Sequence, residues 1–210
     1  MKVVKPKITN TLEENNDLYT LLKQDNVIYG NMFCDTEIEN ITFKNIEFSE
    51  CVFKNVKFIN CNLTKATFMD VKFIDCDFSN QDLTESIIYR TEFINCRLTG
   101  TDLGSTTMKD VKIDSSNAKY INLSFGKITN SIFLNTTFEL GSMNECNFKN
   151  IEFNNCVLEQ VELLKTPLKG IDLSTSIIDG IKLFGTELTG AIVTEIQAIS
   201  LARILGLIIK

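Results

Sequence analysis

Every fifth residue from Ile28 to Val193 is apolar. The run opens Ile28, Phe33, Ile38, Phe43, Phe48, Phe53, Phe58, Leu63. It keeps one frame over 34 positions, where a chain of 44% hydrophobic residues would place about 15 by chance. Thirteen of the 15 Phe fall in this register, the exceptions being Phe125 and Phe184. The residue two before each member is small or β-branched at 31 of the 34 positions, as in Cys51, Val56, Cys61, Ala66, Val71 and Cys76, and departs only at Asn26, Asn31 and Gln81. A period of five is neither the 3.6 of an amphipathic helix nor the 2 of a flat strand. A right-angled turn once per unit satisfies it.

The remaining composition narrows the chemistry. There is no His and no Trp among 210 residues, which removes the commonest general base and metal ligand. Six of the seven Cys (Cys51, Cys61, Cys76, Cys96, Cys146, Cys156) occupy the small-residue slot. They therefore obey the repeat rather than the short spacing of a metal site, and read as buried, inert, reduced thiols. With no glycine-rich phosphate loop and no break in the register to seat a pocket, no catalytic, cofactor or metal constellation is expected, and the chain reads as a non-enzyme. The segment MKVVKPK has no apolar stretch after it, and Ala198 to Ile209 is interrupted by Arg203, so neither an export signal nor a membrane span is expected and the reading is cytoplasmic. A net charge of −6 and a pI near 4.8 disfavour direct binding to nucleic acid.

The units CVFKN (51 to 55), CNLTK (61 to 65), ATFMD (66 to 70), CDFSN (76 to 80) and TDLGS (101 to 105) resemble the pentapeptide repeat family. The resemblance covers roughly residues 26 to 193. It implies an all-β solenoid, a right-handed quadrilateral β-helix with four units to a coil, the large central residue and the small residue two before it inward, and the other three outward. Residues 20 apart should then stack, as Phe33, Phe53, Phe73, Phe93, Ile113, Phe133, Phe153 and Leu173 do in shape. At about 4.8 Å per coil, about eight coils give a rod on the order of 40 Å long. The expected organisation is an N-terminal cap over 1–25, a β-helix over 26–193 without an inserted loop, and a C-terminal helix and tail over 194–210. Thr11 to Glu14 reads as a capping box ahead of a helix containing Leu18, Tyr19, Leu21 and Leu22. Ile196, Ile199, Leu201, Ala202 and Leu205 fall on helical spacing and are expected at a homodimer interface, the alternative being a cap that packs wholly onto the last coil.

Members of the Qnr and mycobacterial fluoroquinolone-resistance type resemble B-DNA in width and charge and bind bacterial DNA gyrase or topoisomerase IV. This chain is similar in length and caps, but its unbroken register leaves no place for the protruding loop that many Gram-negative Qnr proteins need to protect gyrase from quinolones. The face containing Phe33 carries Asp35, Asp75, Glu92, Asp114, Glu152 and Asp172 against three lysines, and the next carries Glu37, Glu39, Asp77, Glu139, Glu159 and Asp179 against three cations, so each nets −3. The other two faces net −1 and 0. The resemblance thus implies a DNA-mimic topoisomerase-binding protein with two acidic faces. The competing reading is a structural or protein-interaction member with no topoisomerase target. Inward Gln81 is expected to mark a local bulge or to bond to coil backbone, and Tyr120 with Leu140, like Leu164 with Phe184, to stack outward.

Overall fold

A computed structural model describes residues 2–15, 17–22, 25–42, 45–204 and 206–208. Its geometry begins with the fifth residue of each unit, which is left-handed: φ is 51° at Asp35, 54° at Asn40, 51° at Asn55 and 57° at Asn80, and the pattern continues to Lys165. Short polar side chains tolerate this region better than other L-residues, which is why Asn and Asp recur there. Each left-handed residue turns the chain, and four such turns return it 20 residues on. Turns of this kind close with an N–H to C=O bond across three residues, as from Gln81 to Phe78 (3.0 Å) and from Ser86 to Leu83 (3.3 Å).

The result is a parallel β-solenoid. After a two-residue strand β1 (Glu13–Glu14), helix α1 (Leu18–Leu22) and β2 (Val27–Tyr29), the continuous sheet is built from β3 (Asn31–Glu39), β5 (Val52–Ile59), β6 (Thr67–Ile74), β7 (Ile87–Ile94), β8 (Thr107–Asp114), β9 (Lys127–Leu134) and β10 (Asn147–Asn154). A short β4 (Glu47–Ser49) pairs with β2 and β6. From β2 onward every register is a shift of 20, such as Phe53 with Phe73 and Phe133 with Phe153. We call the side starting at 31 and recurring every 20 residues the first face, and those starting at 36, 41 and 46 the second, third and fourth. From β6 onward the strands run along the fourth and first faces, while the second and third are laddered by single bridges such as Asp77 to Arg97 and Asp82 to Asp102. The seven sheet strands correspond to about seven turns, slightly fewer than expected. The register continues past residue 166, but there single bridges and a 3-10 turn, Thr186–Leu188, replace the strands.

The core is a stack of inward side chains, one column to each face. Phe33, Phe53, Phe73 and Phe93 stack with ring centroids 4.8, 4.9 and 5.0 Å apart, close to the strand spacing. Where Phe is missing, Met108, Ile113, Ala118, Leu123 and Ile128 take the same slots and are fully buried. Phe43 lies outside the described residues.

The small inward residue does more than fill space. Its thiol or hydroxyl donates to the carbonyl 23 residues earlier: Cys51 to Ile28, Cys61 to Ile38, Cys146 to Leu123, Thr101 to Phe78 and Thr166 to Met143, at 2.6 to 3.3 Å. Hydroxyls there also accept the amide 20 residues earlier, as Thr166 does from Cys146 and Ser176 from Cys156. Gln81 obeys the same rule: its Oε1 accepts the Cys61 amide (2.8 Å) and its Nε2 donates to the Ser79 carbonyl (2.9 Å). Buried polar groups are thereby paired to successive coils.

All six register cysteines are buried and Cys34 is half-buried. Burial pushes Cys51, Cys146 and Cys156 up to about 11, and the thiolate is the reactive form. A thiol reagent at pH 7.5 should therefore modify at most one cysteine, Cys34, in the native protein, and all seven after unfolding. Native labelling of several would show the inward register to be wrong.

The ends differ from expectation at one point. Thr11 to Glu14 is not a capping box: Glu13 and Glu14 pair in register with Asn31 and Met32 as β1, because the open sheet edge needs a strand partner more than α1 needs a cap. The cap of α1 comes from Asp17, whose Oδ1 accepts the Thr20 amide at 3.0 Å. Ahead of β1 the chain runs as an arm along the corner between the fourth and first faces. There the Lys7 amide donates to Asp70 (2.8 Å) and the Val4 amide to Asp110 (3.2 Å). At the other end α2 (Glu195–Ala202) has a capping box between Thr194 and Gln197. The Gln197 Nε2 also reaches the carbonyls of Leu173 and Ser176, at 2.9 and 2.8 Å, and so closes the last coil's edge.

Candidate partner-binding surface

The first and second faces hold all twelve carboxylates singled out from the sequence, but in two different electrostatic states. Because residues 20 apart stand one strand spacing apart, an acid opposite a base pairs with it along the rod. Glu37 pairs with Lys57 (3.5 Å), Glu92 with Lys72 (3.7 Å), Asp77 with Arg97 (3.6 Å) and Glu139 with Lys119 (2.5 Å). Asp114 pairs with Lys112 beside it (2.7 Å). Burial pushes the Asp114 carboxyl up, but hydrogen bonds from Lys112, Ser115 and Asn135 outweigh it and hold the pKa below the usual carboxylate range. These five acids are neutralised within the rod.

Others are not. Asp35 and Asp75 accept from Asn55 (2.7 Å) and Asn95 (2.5 Å), and Asp172 from the Ser174 amide (2.9 Å); an amide donor leaves the negative charge in place. Glu39, Glu159 and Asp179 have no ion pair among the described residues. The outward negative charge is therefore unevenly spread: Glu159, Asp172 and Asp179 gather in the C-terminal coils, Asp35 and Glu39 lie in the first, and Asp75 stands alone in the middle. A shallow groove of about 500 Å³ follows the corner between the two faces and is lined by Asp75, Asp77, Asn95 and Arg97. Charge counting found the faces; the pairing, which depends on which coil each residue occupies, it left out.

Elsewhere the surface is apolar in places. Tyr120, Phe125 and Phe184 are exposed, with Leu140 and Leu164 half-buried. On α2, Ile196 is 79% exposed and Ile199 50%, whereas Leu201 is 6% exposed and packs with Ile178 and Ile181 of the last coils. Leu201 thus serves the chain's own core, and an interface with another copy would rest on Ile196 and Ile199. Ala202 is half-buried and Leu205 lies outside the described residues. No metal-binding cluster of His, Cys, Asp or Glu occurs among the described residues, and no helix among them is long and apolar enough to cross a membrane.

A tube whose interior is filled by its own inward side chains defines a repeat-built solenoid whose accessible chemistry is its surface. Residues 66–141 match the family model described as pentapeptide repeat region, and residues 38–80 that of pentapeptide repeats (9 copies). Residues 38–141 thus carry pentapeptide repeats. Comparison with curated proteins gives no match. Among solved structures the fold is similar to a trypsin-treated QnrB1, a plasmid-mediated fluoroquinolone resistance protein, with a TM-score of 0.58, 15% identity, and 86% of this chain and 100% of that one covered. A second QnrB1 variant gives a TM-score of 0.59 at 18% identity, with 88% and 98% covered. HetL, a pentapeptide repeat protein involved in heterocyst differentiation regulation in the cyanobacterium Nostoc sp. strain PCC 7120, gives 0.58 at 14%, with 85% and 95% covered.

Proposed function

We propose that this protein is a non-catalytic binding protein that acts as a DNA mimic and occupies the DNA-binding surface of a type II topoisomerase, DNA gyrase or topoisomerase IV. The observation that supports this reading is the pair of adjacent acidic faces along the rod, whose carboxylates without an ion pair among the described residues include Glu39, Asp75, Glu159 and Asp179. Opposed charge steers such an encounter and is screened over a Debye length of about 8 Å at physiological ionic strength. The ion-pair ladder thins the negative charge in the central coils, so binding should concentrate toward the acidic C-terminal coils.

The test is inhibition of gyrase supercoiling by the purified protein. Changing Glu39, Asp75, Glu159 and Asp179 to Lys should weaken inhibition at least tenfold, and raising salt should act in the same direction. Changing Lys127 and Lys149 on the fourth face to Glu should leave it intact. Absence of inhibition by the wild type, or equal loss from both sets, would favour the rival reading of a protein-interaction solenoid with no topoisomerase target, for which the uneven charge is the specific support.

The exposed Ile196 and Ile199 support a homodimer joined through α2. Isoleucines exposed together on one short helix lose water contact most readily against a second copy. Ile196→Asp with Ile199→Asp should halve the mass seen by light scattering at micromolar concentration while leaving the β-sheet signal unchanged. A monomeric wild type would end this proposal.

A further inference from the structure

The fourth face is neutral by count, yet its accessible charge is positive. Asp70, Asp110 and Glu187 are buried. Asp70 is held by Arg90 and the Lys7 amide, Asp110 by Asn130 and the Val4 amide, and Glu187 by the amides of Lys165 and Phe184. The remaining acids of this face, Glu47 and Glu50, lie in its first coil. From the unit containing Asp110 onward its outward positions present Lys109, Lys127, Lys149 and Lys169, all exposed. None has an ion pair among the described residues, although most other cations of the rod do, as Lys57, Lys65, Lys119 and Lys182 show. At the strip's N-terminal end Arg90 lies 3.9 Å from the Tyr89 ring centroid and Lys109 5.4 Å from it. The N-terminal arm borders the same strip. Its contact at Asp70 precedes along the rod its contact at Asp110, so the chain leads exposed Lys5 and Lys2 toward the coils that carry Lys127 and Lys149.

We propose that this cationic strip is a docking surface for an extended, acidic segment of a partner protein, laid along the solenoid axis. Charge complementarity selects the sign, and dimensions select the class. Lys109 and Lys169 stand three coils apart, about 14 Å at 4.8 Å per coil, which about four or five residues of extended chain would span at roughly 3.3 Å each. A strand is narrow enough to stay on one face. A nucleic-acid duplex would overhang the corner onto the first face, where Asp75 and Asp172 repel phosphate, and the net charge of −6 opposes a long polyanion at distance. Ammonium groups on flexible stems accept carboxylates in varied register, as an extended acidic segment would need. The strip is separate from the acidic faces, so both can be engaged at once.

Fluorescence anisotropy with a labelled ten-residue glutamate peptide, at low salt, tests this on the intact protein. Lys109→Gln, Lys127→Gln, Lys149→Gln and Lys169→Gln together should weaken binding about tenfold or more. Lys57→Gln, Lys65→Gln, Lys119→Gln and Lys182→Gln, which change the net charge equally but remove paired cations, should weaken it less than twofold. A ten-nucleotide thymidine strand measured in parallel should bind more weakly than the peptide. No peptide binding, equal loss from both quadruple variants, or tighter binding of the oligonucleotide would each overturn the proposal. Supercoiling inhibition is read independently, because the acidic faces are untouched in the first variant.

Discussion

Phe73→Ala should destabilise the protein by about 3–5 kcal/mol, the range for truncating a buried aromatic. Phe73 is fully buried at the centre of the ring column. It stacks on Phe53 and Phe93 at 4.9 and 5.0 Å and meets Phe68 and Phe78 edge-on at 5.5 and 4.9 Å. Offset and edge-to-face pairs add about 0.5–1.5 kcal/mol each beyond burial. The coils above and below are pinned by their own backbone ladders, so the site cannot collapse to fill the void. A solenoid's stability is close to a sum of neighbour terms, so the loss should also reduce cooperativity, with the two halves of the rod beginning to unfold separately. Urea denaturation followed by circular dichroism reads both effects; a loss below about 1 kcal/mol with an unchanged slope would contradict the column's importance.

Asp70→Ala should cost about 3 kcal/mol and release the N-terminal arm. Asp70 Oδ1 accepts Arg90 Nε at 2.6 Å and the Lys7 amide at 2.8 Å, with side-chain exposures of 6% for Asp70 and 14% for Arg90. Removing one partner of a buried pair leaves the other desolvated without compensation, which is the expensive case. Burial pushes the Asp70 carboxyl up, but Arg90 and the Lys7 amide outweigh it and hold it below its ordinary value. Its folded pKa therefore lies below the unfolded value of about 3.9. Its stabilising contribution is fully present above about pH 4 and is lost as pH falls through the folded pKa. Hydrogen exchange at the Lys7 amide should be protected at pH 5 in the wild type and unprotected in the variant. Equal protection in both would show that the arm is held by other contacts.

The arm shows where reading the chain stops short. Its two anchors join residues 63 and 106 positions apart in sequence, and no local pattern around Lys7 or Val4 announces an Asp acceptor. Similarly, Thr11 to Glu14 has the residue types of a capping box, but a free strand edge beside Asn31 and Met32 competes for the same backbone and wins. The left-handed fifth residue was legible: Asn40, Asn55, Asn60, Asn80 and Asn95 recur in that slot. Bulky Tyr120, Phe125 and Leu140, with φ of 59°, 62° and 59°, adopt the same conformation because the turns on either side impose it.

The sequence by itself determined the solenoid. A five-residue apolar frame kept for 34 positions admits one way of turning its Phe and Cys inward, since burial is scored locally, unit by unit, and each unit repeats the same solution. The column at 20-residue spacing, the inward thiols and the outward acids of the first two faces follow from that frame. What only the tertiary structure decided is the charge the molecule presents. Whether Glu92 is neutralised by Lys72, or Lys149 left unpaired, depends on which coil each occupies and what stands one strand spacing away. Coulomb energy falls with distance in space, and distance along the chain does not reveal it.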